Sequence, residues 1–332
     1  MKSLRSVTWL IPCFAVVAAP TLPPCVAGAV GRIDFAARPD QVVVRVDEQD
    51  LATYVYRDSQ IPRPYFKDLH APGGIQVTRN HPPREGVDPT DHAEYHPGLW
   101  LAFGDLGGAD FWRNQAVVRH VEFIKPPVSD ERKGHFTVRN AYMHRDVRVG
   151  EEVCQYTFLV RPAGILILWD SLFLSADMSF SFGDQEEMGL GLRMATAIAV
   201  KSGQGGRILD SEGRRNEKET WGKTAAWCDY SGWVDKTFVG VLIMPHPDNV
   251  RPCWWHTRDY GFMTANPFGR AAFRAGPTSK MTVSKTEPFH LSYGILIHAS
   301  ESEQDVDLAA AYRDYLEVLR QVRTETREGG QR

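Results

Sequence analysis

The sequence predicts an all-β fold, a large antiparallel β-sandwich closed by one C-terminal helix. Three observations carry this. Short runs rich in β-branched and aromatic residues recur along the chain. The gaps between them hold Gly, Pro, Asp and Asn. Only one stretch, near the end, repeats apolar residues at helical spacing. The chain has 332 residues, a length that one all-β domain can fill.

In chain order, Gln41 to Val46 is β-branched and ends in charged turn residues, and Leu51 to Arg57 alternates apolar with polar. Ala116 to Ile124, His135 to Asn140 and Val153 to Val160 read as successive strands. Gly164 to Leu174 (GILILWDSLFL) is apolar on both faces, so it is expected to be covered on both sides. Met188 to Val200, Phe238 to Met244 and Leu291 to His298 complete the strands. Ser302-Glu303-Gln304-Asp305 is expected to cap a helix on which Leu308, Tyr312, Tyr315 and Leu319 share one face. Thr326 to Arg332 is charged and contains Gly, and reads as a flexible tail. No repeat and no linker interrupts residues 30–325, which read as a single sandwich domain.

The first 29 residues read as an export signal. Lys2 and Arg5 precede an apolar run, Val7 to Ala19, that is too short and too broken to span a bilayer. Ala27-Gly28-Ala29 offers a small-x-small cleavage site, so the mature chain is expected to start near Val30 and to be secreted or periplasmic. An uncleaved amphipathic anchor is the alternative. No further stretch is long and apolar enough for a membrane span once the signal is removed. Cys154, Cys228 and Cys253 remain. They are either three separate thiols, with Cys154 buried in a strand, or one thiol beside a Cys228–Cys253 disulfide.

Several function classes are excluded at this level. The net charge of -3 carries no basic excess for nucleic acid. Lys67 to Gly74 is Gly-rich but lacks the GK[ST] ending of a phosphate loop. No GxSxG elbow and no GxGxxG is present.

Ser211 to Tyr230 instead concentrates Asn216, Glu217, Lys218, Glu219, Trp221, Trp227, Asp229 and Tyr230. Flat aromatic rings beside carboxylates and amide donors suit a sugar. The rings cover its C–H face, the polar groups take its hydroxyls, and a carboxylate can move a proton. Cys253 to Gly269 repeats this chemistry. An extended Trp254 to Gly261 would put His256, Arg258 and Tyr260 on one face, and Trp255, Thr257 and Asp259 on the other. Two tryptophans of a core strand are the plainer reading.

Arg79 to Trp100 holds His81, Asp91, His92, Glu94, Tyr95 and His96. His92 and His96 are four apart and would share a face of a helical turn, although Pro97 ends any helix there. They would ligate a divalent metal, act on substrate without metal, or stabilise the loop by hydrogen bonds. Arg63 and Arg79 would hold a sugar carboxylate or be ion-paired. In Asp184 to Gly189 one of Glu186 and Glu187 would face a cleft as a base whose pKa burial has raised, or both are solvated turn charges.

The segments KDLHAPGGIQVTRNHPP, DHAEYHPGLW followed by GDLGGADFW, GDQEEMGLGLRMAT, NEKETWGK with AAWCDYSG, and CWWHTRDYGFMTANPFG occur in this order. Together they resemble a bacterial family of unknown function commonly labelled "methane oxygenase PmoA-like". The resemblance runs from Arg63 to His298. A membrane methane monooxygenase subunit needs several apolar spans, which this chain lacks downstream of its signal, so the label is a misnomer on this reading. The resemblance implies a galactose-mutarotase-like or supersandwich fold, with these loops forming the site. It carries no residue roles. Where many relatives have a further His this chain has Tyr95, which disfavours a three-histidine metal site.

The expected activity is cleavage of a glycosidic linkage in an oligosaccharide or polysaccharide, as a hydrolase or lyase. Glu217 and Asp259 are the candidate proton-moving carboxylates. His92, His96 and His256 are proton carriers or ligands of one divalent metal. Arg63, Arg79, Asn216, Trp221, Trp227, Asp229, Trp255, Arg258 and Tyr260 are the substrate-binding candidates. The alternatives are a sugar epimerase or mutarotase, a non-catalytic glycan-binding protein, and a metal-dependent oxygenase.

Overall fold

The computed structural model describes residues 31–175 and 178–329. The proposed signal, residues 1–29, lies outside them, as do residues 330–332. Two eight-stranded antiparallel sheets face each other. The front sheet runs, in spatial order, Ile33–Arg38, Gln41–Val46, Gln49–Val55, Tyr65–Lys67, Leu99–Phe103, Met188–Arg193, Phe262–Asn266 and Trp254–Arg258. The back sheet runs Arg207–Asp210, Cys228–Val234, Thr237–Pro245, Phe289–Ser300, Gly164–Leu174, Val147–Arg161, Lys133–His144 and Val117–Asp130.

Alternation decides what each strand shows to which side. Leu99, Leu101 and Phe103 enter the layer between the sheets, where Phe66, Phe136, Tyr156, Trp169 and Ile295 meet them. Trp100 and Ala102, on the same strand, turn outward and join Tyr65, Trp112 and Phe262 in a separate apolar cluster. Gly191 is required at this spot, because a Cβ there would lie 2.6 Å from the Trp100 ring. The outer face of the front sheet thus has an aromatic floor.

The centre of the back sheet's outer face is covered. Helix α2, assigned here to Leu308–Gly329, lays Leu308, Ala311, Tyr315 and Val318 on Leu166, Leu168, Leu242 and Leu296. This explains the doubly apolar Gly164–Leu174 strand: one face meets the core and the other meets α2. The helix is not capped by Ser302. A 3-10 turn, Glu303–Asp305, intervenes, and Asp307 accepts the Ala310 amide at 2.8 Å. The helix also runs on through Gly329, beyond where the flexible tail was expected to begin. Met188 to Val200 divides into a strand, Met188–Arg193, and two short turns.

The three cysteines are free and buried, so the Cys228–Cys253 disulfide is corrected to separate thiols. No helix among the described residues is long and apolar enough to cross a membrane.

Candidate functional site

The site is assembled on the aromatic floor from four segments that are far apart in sequence. The first is the helical turn after Asp91. The amides of Tyr95 and His96 both bond back to the His92 carbonyl, at 3.0 and 2.9 Å. The two imidazoles therefore share a face, stacked with centroids 5.0 Å apart. His96 is buried between Trp100 and Phe262, at 5.0 and 4.7 Å. Burial, reinforced by the Arg193 charge, holds its pKa well below the usual imidazole range. His92 is half exposed, and its backbone takes a φ of 52°. That left-handed conformation is uncommon outside glycine.

His92 is oriented by Asp91, whose Oδ2 lies 3.2 Å from its Nδ1. Asp91 is in turn fixed by two buried guanidiniums, Arg193 at 2.8 Å and Arg79 at 3.6 Å. Burial alone would raise the Asp91 carboxyl, but Arg193 holds it below the usual range. The Arg193 guanidinium also lies 4.5 Å over the Tyr260 ring.

The second segment is the hairpin made by Trp254–Arg258 and Phe262–Asn266. His256 and Arg258 share its outer face, while Trp255 and Thr257 point inward. Tyr260 lies in the turn and stacks between His92 and Phe262, at 6.4 and 6.2 Å. His256 packs edge-on against Phe262 and Phe273. Burial and the Arg258 charge press its pKa down to about 3, so it is neutral in ordinary buffers.

The third segment, Asp184 to Glu187, is an irregular stretch between strands. Asn266 donates to the carbonyls of Gln185 and Glu186 at 2.8 and 3.0 Å and fixes its path. Glu187 turns to Arg113 at 2.6 Å. Glu186 turns to the site, with Oε2 3.5 Å from both His256 Nε2 and Arg258 Nη2. Burial and the Glu187 charge raise the Glu186 pKa against the pull of Arg258 and Arg274.

The fourth segment is a short helix, α1 (Asn216–Thr220). Glu217 Oε1 accepts from Arg258 Nη1 at 3.1 Å, and Oε2 accepts from the Asp259 amide at 3.0 Å. Asp259 returns the bond by accepting the Glu217 amide at 2.9 Å. Trp221 follows directly, with Arg258 5.7 Å over its ring and Phe273 5.5 Å from it. Glu217, Arg258, Glu186, His256, Phe262, His96 and His92 are thus linked by successive contacts across one surface.

Several sequence candidates are not part of that surface. Trp227 belongs to the cluster under α2 on the back sheet, together with Leu242 and Tyr315. Asp229 is fully buried in the back sheet and is spent on His298 and Ser231, at 2.8 and 2.6 Å. Trp255 lies in the core between the sheets, on the inward side of its alternating strand. Arg63 and Arg79 are buried structural clamps. Arg63 donates to the carbonyls of Tyr95, Phe111 and Trp112 and to Asn114. Arg79 donates to the carbonyls of Pro89, Asp91 and His96. Burial pulls their pKa values down to about 9 and about 10 respectively. Asn216 accepts the Ile208 amide at 3.0 Å and starts α1 at a φ of 57°. Asp259 is a brace for Glu217, its Oδ1 engaged by an amide. Among the described residues, no group of three His, Cys, Asp or Glu side chains is placed to hold a metal ion. His92 and His96 stack ring on ring, and His256 stands apart from them behind Phe262. The three-histidine donor set therefore does not fit a divalent metal.

The site also uses residues that the sequence reading left out of its candidates. Trp100, Phe262 and Phe273 read as ordinary core aromatics. Arg193 ends the apolar run MGLGLR and shows its role only through the alternation that turns it outward. A groove of about 1070 Å³ lies elsewhere, near Arg145, Arg148 and Lys280.

A model described as a family of unknown function (DUF6807) matches residues 41–313. The chain belongs to this family. The DUF6807 match spans all four segments of the site. The methane-oxygenase label does not accompany it. A search of curated proteins finds no match. Solved structures match at low identity and low TM-score. A galactose mutarotase-like protein from Lactobacillus casei ATCC 334 is 8% identical, with 80% of this chain and 100% of that one covered and a TM-score of 0.36. A galactose mutarotase-like protein from Clostridium acetobutylicum is 9% identical, with 80% and 94% covered and a TM-score of 0.34. The galactosidase domain of an alpha-galactosidase-sucrose kinase, AgaSK, is 9% identical, with 81% and 42% covered and a TM-score of 0.40.

Proposed function

We propose that this DUF6807 protein is a carbohydrate-active enzyme that cleaves a glycosidic linkage by acid–base chemistry. The observation that carries the reading is Arg258 bracketed by two carboxylates, Glu186 and Glu217, beside an aromatic floor. Glycosidic cleavage needs two carboxyl groups in unlike states, one protonating the leaving oxygen and one acting as a carboxylate. Glu186, raised by burial and by Glu187, suits the acid. Glu217, with both oxygens held by donors, suits the carboxylate. Trp221 and Tyr260, both partly exposed, provide flat faces for a sugar ring. In the same proposal the protein is exported and residues 1–29 are removed. N-terminal sequencing of the mature protein is expected to start near Val30.

The test is a mass-spectrometric screen of oligosaccharides and polysaccharide digests. A product heavier by one water means hydrolysis, and an unsaturated product means elimination. Glu186→Gln and Glu217→Gln are each expected to lower turnover by roughly 10²–10⁴-fold. Full turnover in either variant overturns that residue's role.

A second reading, a sugar epimerase, has its own observation. His92, oriented by Asp91, lies across Tyr260 and Phe262 from Glu186, so a base and an acid would flank one ring. Optical rotation of a reducing sugar changing with no change of mass would select it.

A further inference from the structure

The pairing of His256 with Glu186 has a consequence for where a proton sits. The His256 Nδ1 faces the backbone carbonyl of Glu186 at 3.3 Å. A carbonyl oxygen only accepts, so Nδ1 carries the hydrogen and Nε2 carries a lone pair. That lone pair faces Glu186 Oε2 at 3.5 Å. Two acceptors facing each other repel, unless a proton stands between them.

We propose that Glu186 and His256 hold one proton between them, so that Glu186 meets the substrate as a neutral carboxylic acid and His256 is its positioning residue. The inference rests on the glycosidase reading for its use but not for its existence. The surroundings agree. The imidazole is only 4% exposed and is wedged between Phe262 and Phe273, so its ring cannot turn to offer the other nitrogen. The groups facing Glu186 are His256 and Arg258 from the edge strand, Glu187 from its own segment and Arg274 from the following loop. Glu217 lies beyond Arg258 and draws that guanidinium toward itself, at 3.1 Å against 3.5 Å for Glu186. Burial and Glu187 then outweigh the two arginines, and the carboxyl keeps its proton to higher pH. In the reaction this proton passes to the glycosidic oxygen as the bond to the anomeric carbon breaks. Glu186 is left as a carboxylate between Arg258 and the His256 lone pair, and it recovers a proton from the water that replaces the leaving group.

The test has a spectroscopic arm and a kinetic arm on the whole chain. Nitrogen NMR of His256 is expected to show a neutral ring with the hydrogen on Nδ1. Infrared difference spectra of wild type against Glu186→Gln near neutral pH are expected to lose one protonated carboxyl band. A hydrogen on Nε2, an imidazolium, or no lost carboxyl band overturns the proposal, whatever the substrate proves to be. In the kinetic arm, His256→Asn keeps a donor for the Glu186 carbonyl and removes the distal nitrogen. Its activity is expected to fall off at a pH lower than wild type by roughly one unit, with KM little changed. An unmoved pH limb overturns the positioning role. If no sugar is turned over at all, the glycosidase reading fails while the spectroscopic arm still decides the shared proton.

Discussion

Glu217 ties three things together: its side chain accepts from the Arg258 guanidinium and the Asp259 amide, and its backbone amide donates to the Asp259 carboxylate. Glu217→Gln puts an amide nitrogen where one of two donors already points, so it costs about 1–3 kcal/mol of stability. Thermal unfolding measures that cost. Turnover measured well below the unfolding temperature separates it from the loss of the carboxylate. Trp221 has a different role. Its ring backs Arg258 and meets Phe273. Trp221→Ala is expected to raise KM by a few-fold to tenfold, the size of one lost stacking contact, with kcat nearly held. An unchanged KM on a confirmed substrate would remove the stacking role.

The residues of this surface were unevenly legible. Glu217, Trp221, His256 and Arg258 announced themselves by being costly mixtures of charge and ring in two short segments. Trp227 and Asp229 sit in the first of these, yet the strand that begins at Cys228 carries Asp229 into the back sheet, and Trp227, just before it, joins the cluster under α2. Composition marks a segment, but strand register decides which of its side chains arrive.

At the scale of elements, a buried carboxyl ties three back-sheet strands together. Glu152 accepts from Asn140 at 3.0 Å and from Ser171 at 2.5 Å, joining Lys133–His144, Val147–Arg161 and Gly164–Leu174. Burial raises its pKa above the ordinary Glu value of 4.5. The folded chain therefore holds a proton that the unfolded chain releases. By linkage this contribution is complete below 4.5 and is lost as pH rises through the higher folded value. Glu152→Gln mimics the protonated form, its oxygen toward Asn140 and its nitrogen toward Ser171. The variant is expected to flatten that part of the stability–pH curve, as urea denaturation across pH would show. An unchanged curve would assign the slope to other groups.

Elements were legible in proportion to their length and pattern. Gln41–Val46 and Gly164–Leu174 fall where alternation and apolarity put them. Leu99–Phe103 did not stand out, because its five residues are buried on both faces and show no period. The α2 cap was displaced because Ser302 begins a 3-10 turn, leaving Asp307 to meet the first free amides. Asp307→Ala is expected to cost about 1 kcal/mol, read as a small fall in melting temperature.

Over the whole molecule, the two sheets divide the labour. The centre of the back sheet is covered by α2, while the outer aromatic cluster of the front sheet is covered by the loops of the site, Tyr95 and Tyr260 among them. Stability and chemistry therefore sit on opposite sides and can be perturbed separately. Tyr315→Ala, which empties the space beneath α2, is expected to lower stability by roughly 2–5 kcal/mol. At temperatures where the variant stays folded, kcat is expected to match wild type. A kcat that falls in step with stability would show that the two faces are mechanically coupled.

The arginine clamps beneath the His92 turn have a further consequence. Arg63 and Arg79 grip that turn almost wholly by main-chain carbonyls, a handle that every amino acid carries. Side chains such as Glu94 can therefore be exchanged without loosening the anchor. Natural variants should diversify what the rim recognises while the scaffold beneath keeps its shape, and a library randomised at Glu94 should stay folded while its preferences drift.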